Sequence, residues 1–334
     1  MKIFITGVAG FLGSHLADLM ISEGHSVAGN DNMIGGYTDN VPQNVEFYQI
    51  DCCDLENMTK AMEGCDVVYH TAATAYEGLS VFSPVLVTRN IFEASVATIT
   101  AAIRNKVKRI VYCSSMARYG HHDNVPYKED YECRPQDPYG IAKKAGEDVL
   151  INLCETHGVE YVIAVPHNIV GPRQKYDDPF RNVMSIMLNR MLQGKQPIVY
   201  GDGKQQRCFS YIDDCLYCLN ALAFQNNVVG EVINIGPDEE PVTINELAEA
   251  CANETGLNLD PIHHKDRPKE VKLATCSSDK ARKLLDYQTS TNMRQAVKKT
   301  AEYIRTRGTK KFQYHLPLEI VNDITPETWK NKLI

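Results

Sequence analysis

Short apolar runs alternate with helically spaced apolar positions along the first half of the chain. Lys2–Thr6 (Lys-Ile-Phe-Ile-Thr) is a run of strand type. Leu16, Ala17, Leu19 and Met20 then recur at helical spacing up to Gly24, and Val27–Asp31 is a second strand run. Val45–Ile50, Asp66–His70 and Arg109–Cys113 read as further strands, and Pro84–Asn105 and Pro138–His157 as long helices. This alternation reaches about residue 165 and predicts an α/β fold: a doubly wound parallel sheet with helices on both faces. A ligand is then expected at the carboxyl ends of the strands. From about residue 166 the pattern predicts a smaller, discontinuous second region, 166–208 plus 237–334. Residues 209–236 return to the first region, 1–165, and no internal repeat or low-complexity tract appears.

Composition narrows the function classes. The 334 residues allow two domains or one large α/β domain at about 150 residues per domain, and 43% hydrophobic content rules out a disordered chain. A net charge of -7 without a long basic run argues against nucleic acid or an anionic membrane as partner. The cluster Arg104, Lys106, Lys108 and Arg109 reads as a solvated helix end. No stretch of about 18 apolar residues exists to span a membrane. The apolar start is broken by glycines, His15, Asp18 and Glu23, so it does not read as an export signal. Eleven widely spread cysteines make no disulfide framework, and Cys215–Cys218 lacks a second ligand pair for zinc. The reading is a cytoplasmic protein with reduced thiols and no metal site.

Chemistry enters with Gly7-Val8-Ala9-Gly10-Phe11-Leu12-Gly13, placed between a strand and a helix. Gly7 permits the tight turn. Gly10 lets the backbone approach a pyrophosphate at the helix N-terminus, and Gly13 lets helix and sheet pack closely. Asp31, ending the second strand 18 residues after Gly13, is placed to accept hydrogen bonds from the adenosine ribose. No Arg or Lys sits in the turn or just after Asp31, which favours NAD over NADP. Further on, Tyr139 and Lys143 stand at i and i+4 of a helix opened by Pro138, downstream of Ser114-Ser115 at a strand end. A tyrosine with pKa near 10 becomes a base only if nearby positive charge stabilises its phenolate. Tyr139 would take a substrate hydroxyl proton, Ser115 would hydrogen-bond the forming carbonyl, and Lys143 would support the phenolate and hold the nicotinamide ribose.

The Gly-x-x-Gly-x-x-Gly spacing, with Ser115, Tyr139 and Lys143, resembles the extended short-chain dehydrogenase/reductases, in particular their nucleotide-sugar epimerases and dehydratases. The resemblance covers about residues 1–290. It implies a Rossmann domain, a discontinuous substrate domain and NAD as cofactor. Phe11, Leu12 and Asn32 fall within the implied cofactor set. So do Asp51 and Cys52, matching a pair that contacts adenine, Thr71, Ala72 and Ala73, matching a small-residue turn over the cofactor, and Pro166. For the substrate it implies Asn168 in Asn168-Ile169-Val170-Gly171-Pro172-Arg173, Arg207 and Arg267 as a diphosphate clamp, Val199 beside the base, and Tyr76 facing the sugar. The resemblance also implies a homodimer formed by the two long helices.

The reaction narrows at two positions. Dehydratases of the family carry Asp-Glu directly after the catalytic Ser or Thr, and decarboxylases carry Glu at the second position. Here stand Met116 and Ala117, which can do neither job. The implied activity is epimerisation of a nucleotide-diphosphate sugar, in the first place at C4 of a UDP-hexose, UDP-N-acetylhexosamine or UDP-hexuronic acid. A dehydratase or reductase of the same fold, or a catalytically silent NAD-binding regulator, are the alternatives. Arg118 stands where the family usually has Val, facing solvent or reaching a substrate carboxylate. His167 replaces a more usual aromatic, and the tail after about 310 lies outside the resemblance.

Overall fold

The computed structural model describes residues 1–268 and 270–334. Seven strands form the central sheet: β1 (Lys2–Thr6), β2 (Ser26–Asn30), β3 (Val45–Tyr48), β4 (Val67–His70), β5 (Arg109–Cys113), β6 (Glu160–Pro166) and β7 (Val232–Ile235). Nine helices matter here: α1 (Phe11–Ser22), α2 (Leu55–Ala61), α3 (Ala94–Arg104), α4 (Pro138–His157), α5 (Val183–Met191), α6 (Ile212–Phe224), α7 (Ile244–Thr255), α8 (Asp279–Leu285) and α9 (Met293–Arg307). The strands are all parallel and run in the order β7-β6-β5-β4-β1-β2-β3. Strand order reverses between β1 and β4, and a crevice opens there at the carboxyl ends.

The period of two along each strand builds two cores. Ile3, Ile5, Val111 and Val162 point to one face, where Leu16 and Met20 of α1 and Leu219 and Leu222 of α6 cover them. Phe4, Val68, Ile110 and Ile163 point to the other, against Met58 of α2, Ile99 of α3 and Leu150 of α4. Burial on both faces is why these strands are continuously apolar. The helix expected at 84–105 is interrupted: Pro84–Thr88 passes through a π turn, Arg89–Glu93, before α3 begins. The basic cluster also differs from expectation. Arg109 is buried at the start of β5, donating to Glu160 at 2.7 and 2.9 Å and to the carbonyls of Leu222 and Gln225. Nη1 thereby satisfies two carbonyls at the end of α6 that would otherwise be orphaned, while Nε and Nη2 hold Glu160.

The second lobe packs α5, α7 and α9 around Met184, Leu188, Leu247, Cys251, Val297 and Ile304. Its chain path departs from the sequence reading in one respect. Ala281 and Leu285 of α8, with Tyr287, return to the first core. His263 and His264 lie on a short strand, Ile262–His264, pairing with Ile198–Tyr200. The tail folds back on residues 76–86: Glu319 accepts from the Val85 and Leu86 amides at 2.8 and 2.9 Å, and Leu316 and Trp329 join Phe82 and Phe180 in a separate apolar cluster. All eleven cysteines are free thiols. Among the described residues no helix is long and apolar enough to cross a membrane, and no three His, Cys, Asp or Glu side chains converge on a metal position.

Candidate active site

The chain leaves β1 through Gly7, whose φ of +71° is left-handed. A Cβ there would lie 2.9 Å from the Ala72 Cα, and a Cβ on Gly13 would lie 2.3 Å from the Gly7 carbonyl oxygen. The turn, the start of α1 and the 71–73 turn therefore touch backbone to backbone. Hydrogen bonds lock them: the Ala72 amide donates to Thr6 Oγ1 at 3.0 Å, and Thr71 Oγ1 donates to the Thr6 carbonyl at 2.5 Å. Behind them His70 bridges Thr6 Oγ1 and Ser95 Oγ at 2.9 and 3.0 Å, and burial pulls its pKa down to about 3, leaving the ring neutral. The first-turn amides of the 12-residue α1 face the crevice without intrahelical partners and favour an anion.

Asp31 ends β2 with its carboxylate already engaged. Oδ2 accepts from Ala9 N at 3.1 Å and Oδ1 from Met33 N at 2.7 Å, while burial raises its pKa. It braces the glycine turn as well as facing the crevice. Asn32 Nδ2 donates to Asp51 at 3.1 Å, and Asn30 Nδ2 donates to Cys52 Sγ at 3.3 Å, so the adenine-side candidates form one connected wall.

β5 delivers the serines. Ser115 caps the short turn Met116–Arg118, accepting from Ala117 N at 3.2 Å. Asp137 caps α4, accepting from Gly140 N at 2.9 Å, and Pro138 follows as first helical residue, which fixes where Tyr139 and Lys143 emerge. Burial drives the Tyr139 phenol well above its ordinary pKa, with the neighbouring Ser115 hydroxyl pulling the other way. Lys143 is buried, its pKa lowered to about 8 by burial, and its ammonium donates to the Cys113 carbonyl at 2.7 Å. The protein alone thus holds the phenol protonated; the charge that lowers its pKa has to arrive with what binds. Beneath the turn, Glu147 of α4 accepts from Ser114 Oγ and pairs with Arg118 at 2.9 Å. Arg118 neither faces solvent nor reaches the cavity; it is clamped inside.

Ser115, Tyr139, Lys143 and every cofactor candidate, Gly7 through Pro166, line one cavity of about 480 Å³. Asn168, Arg207 and Arg267 line it too. Asn168 sits at φ +46° with its amide donating to the Cys208 carbonyl at 3.0 Å. Arg267 grips Glu270 at 2.9 and 3.1 Å and stacks 5.0 Å from the Tyr200 ring centroid, while Arg207 reaches the same carboxylate at 3.5 Å. Burial works to raise the Glu270 pKa, but the two arginines hold it below the carboxylate range. His167 lines the cavity with Nε2 against the Pro237 carbonyl at 3.0 Å.

Two candidates are corrected. Val199 is fully buried in the second-lobe core; its neighbours Ile198 and Tyr200 line the cavity instead. Adjacent strand residues face opposite sides, so the reading was off by one position. Tyr76 is also turned away, donating to Asp178 at 2.5 Å and packing in the tail cluster; it supports Arg181, stacked at 4.9 Å, which does line the cavity. Several wall residues escaped sequence reasoning. Asn90 is set inward by the π turn, and Trp329 and Ile334 come from the tail. Asp137 carried a signal, since an acid before Pro and a helical run is an N-cap.

The strand order, the glycine turn and the Ser–Tyr–Lys cavity define an extended short-chain dehydrogenase/reductase. Residues 3–236 match the model of the NAD dependent epimerase/dehydratase family, and the chain belongs to that family. It is 31% identical over 318 residues to a putative UDP-glucose 4-epimerase of Methanocaldococcus jannaschii, covering 92% of this chain and 99% of the relative. It is 29% identical to a UDP-N-acetyl-alpha-D-glucosaminuronate decarboxylase of Bacillus cytotoxicus, covering 91% and 98%. The crystal structure of UDP-glucuronic acid 4-epimerase from Bacillus cereus with UDP-glucuronic acid and NAD superposes with a TM-score of 0.85 at 28% identity, covering 92% of this chain and all of that one. The cofactor is NAD, and the residues present fit it: Gly7, Gly10 and Gly13 line the cavity where the first-turn amides of α1 lack partners, which suits a pyrophosphate, and the Asp31 carboxylate beside them opposes a 2′-phosphate.

Proposed function

We propose that the protein is an NAD-dependent epimerase inverting C4 of a UDP-hexose, UDP-N-acetylhexosamine or UDP-hexuronic acid through a transient ketone. The observation that carries this reading is the wall after Ser115. Met116 and Ala117 occupy it, so the positions that dehydratases and decarboxylases fill with carboxylates hold none. The decarboxylase among the relatives leaves that reaction as the second reading; Ala117 argues against it.

When bound, NAD would supply the hydride acceptor and donor for the sugar carbon. Gly7, Gly10 and Gly13 would cradle its pyrophosphate, Asp31 its adenosine ribose and Lys143 its nicotinamide ribose. Tyr139 takes the proton from the C4 hydroxyl and returns it. Ser115 holds the carbonyl oxygen. Arg207 and Arg267 anchor the diphosphate, remote from the reacting carbon, so the sugar can present either face. The relatives that bind UDP-sugars support the nucleotide assignment. Val85, 72% exposed beside α4, and Ile141, 53% exposed on it, support a homodimer through this face, which light scattering would check.

The test is incubation with NAD and a panel of UDP-sugars, with the products read by NMR. Interconversion of C4 epimers is expected. A 4-keto-6-deoxy, unsaturated or decarboxylated product would overturn the reading.

A further inference from the structure

Five carboxylates line the cavity: Asp31, Asp51, Glu77, Asp137 and Glu270. Four are committed. Asp31 holds two backbone amides, Asp51 accepts from Cys53 N and Asn32, Asp137 caps α4, and Glu270 is gripped by two arginines. Glu77 alone has no hydrogen bond or ion pair to its carboxylate among the described residues. Its side chain is exposed and opens onto the cavity.

Its surroundings are specific. Glu77 opens the short helix Glu77–Ser80, and Ser80 Oγ donates to the Glu77 main-chain carbonyl at 2.7 Å and leans on Asp137 Oδ1 at 3.4 Å. This ties the helix to the N-cap that aims Tyr139. The Glu77 charge acts on the Tyr139 phenol. Loss of water in the cavity first, then the Asp137 charge, push the Glu77 pKa up, with Arg207 and Arg267 opposing. A carboxyl with a raised pKa and no fixed partner is free to take and give a proton. Inverting C4 needs only the Tyr139 proton and the Ser115 hydrogen bond; it has no use for a second acid–base group.

We propose that Glu77 is a second proton-transfer group of the cavity, acting on the C–H bond next to the C4 carbonyl of a bound 4-keto nucleotide sugar. The proposal rests on the reading that the cavity generates or accepts such a ketone. The Glu77 carboxylate takes the proton from C3 or C5. The C–H pair becomes the carbon–carbon double bond of an enolate, and the carbonyl π pair moves onto the C4 oxygen, held by the Ser115 and Tyr139 hydroxyls. Glu77 then gives a proton back to the same carbon and the ketone re-forms. Sugar and protein end unchanged except that the hydrogen has exchanged with water through Glu77.

The experiment uses the full chain in D2O with two kinds of substrate: UDP-sugars that C4 turnover interconverts, and a preformed UDP-4-keto-6-deoxyglucose, with and without added NAD. Mass spectrometry and NMR read deuterium at C3 and C5. Exchange above the buffer rate is expected with the wild type. Glu77→Gln should lower it at least ~100-fold, the low end for loss of an acid–base group, and Glu77→Asp should restore part of it. No exchange in the wild type, or exchange that survives Glu77→Gln, overturns the proposal. Exchange on the preformed ketone without any C4 interconversion would sink the C4 reading and leave this one standing. C4 interconversion with no exchange on either substrate would do the reverse.

Discussion

Glu147 reaches under the serine turn from the same helix that carries Tyr139 and Lys143. Its pairing with Arg118 is almost dry, the side chains being 1% and 6% exposed. The two partners are not equivalent. Arg118 cannot shed its proton, and its Nε and one terminal nitrogen already lack partners. Removing Glu147 with Glu147→Leu strands a buried cation and should cost ~3–5 kcal/mol of stability. Removing Arg118 with Arg118→Met leaves a carboxyl that still accepts from Ser114 and whose pKa burial has already raised, despite the Arg118 charge. It can take up a proton, so this loss should be nearer ~1–3 kcal/mol. The double variant removes both charges and should be more stable than Glu147→Leu alone. Urea unfolding at fixed pH, with unchanged m-values, reads all three. If Arg118→Met costs as much as Glu147→Leu, or if the two losses simply add, the pair is not a buried clamp and this reasoning fails.

Other variants probe other links. Tyr139→Phe should lower turnover by ~10²–10⁴ while NAD binding, read by calorimetry, stays nearly intact. Gly13→Ala must push the Gly7 carbonyl aside from a 2.3 Å contact; a displacement of about 1 Å should weaken NAD binding on the order of 100-fold. His70 is neutral when folded with its pKa at about 3, against 6.5 in the unfolded chain. Between those values the unfolded state binds the extra proton, so this group removes stability as pH falls from 6.5 toward 3. His70→Gln should flatten that acid limb in a series of thermal melts. Val199→Ala should lower the melting temperature without changing KM, whereas Tyr200→Ala should raise KM by releasing Arg267.

The cofactor half was legible because its chemistry is contiguous. Gly7 to Gly13 and Tyr139 to Lys143 are local spacings, and each needs one strand or one helix to acquire meaning. The substrate wall is not contiguous. In the three-residue strand Ile198–Tyr200, nothing in the sequence says which parity faces the cavity, and Val199 went the wrong way. Tyr76 looked available until Asp178, 102 residues on, supplied its partner. Arg118 read as exposed or substrate-directed because an isolated arginine carries no sign of a buried carboxylate one helix away. The tail offered no pattern at all; Trp329 became a wall residue only through Phe82 and Phe180.

The arrangement of Arg207 and Arg267 around Glu270 bears on how the substrate is captured. Two free surface guanidinium groups would carry a diffuse ion atmosphere, and diphosphate binding would then fall steeply with salt. Here an internal carboxylate already offsets one of the pair's two charges inside the wall. An arriving diphosphate competes with a tethered anion and displaces few mobile ions. Affinity should therefore respond weakly to ionic strength, and selectivity for the doubly charged diphosphate over singly charged anions is set by what it takes to outbid one glutamate.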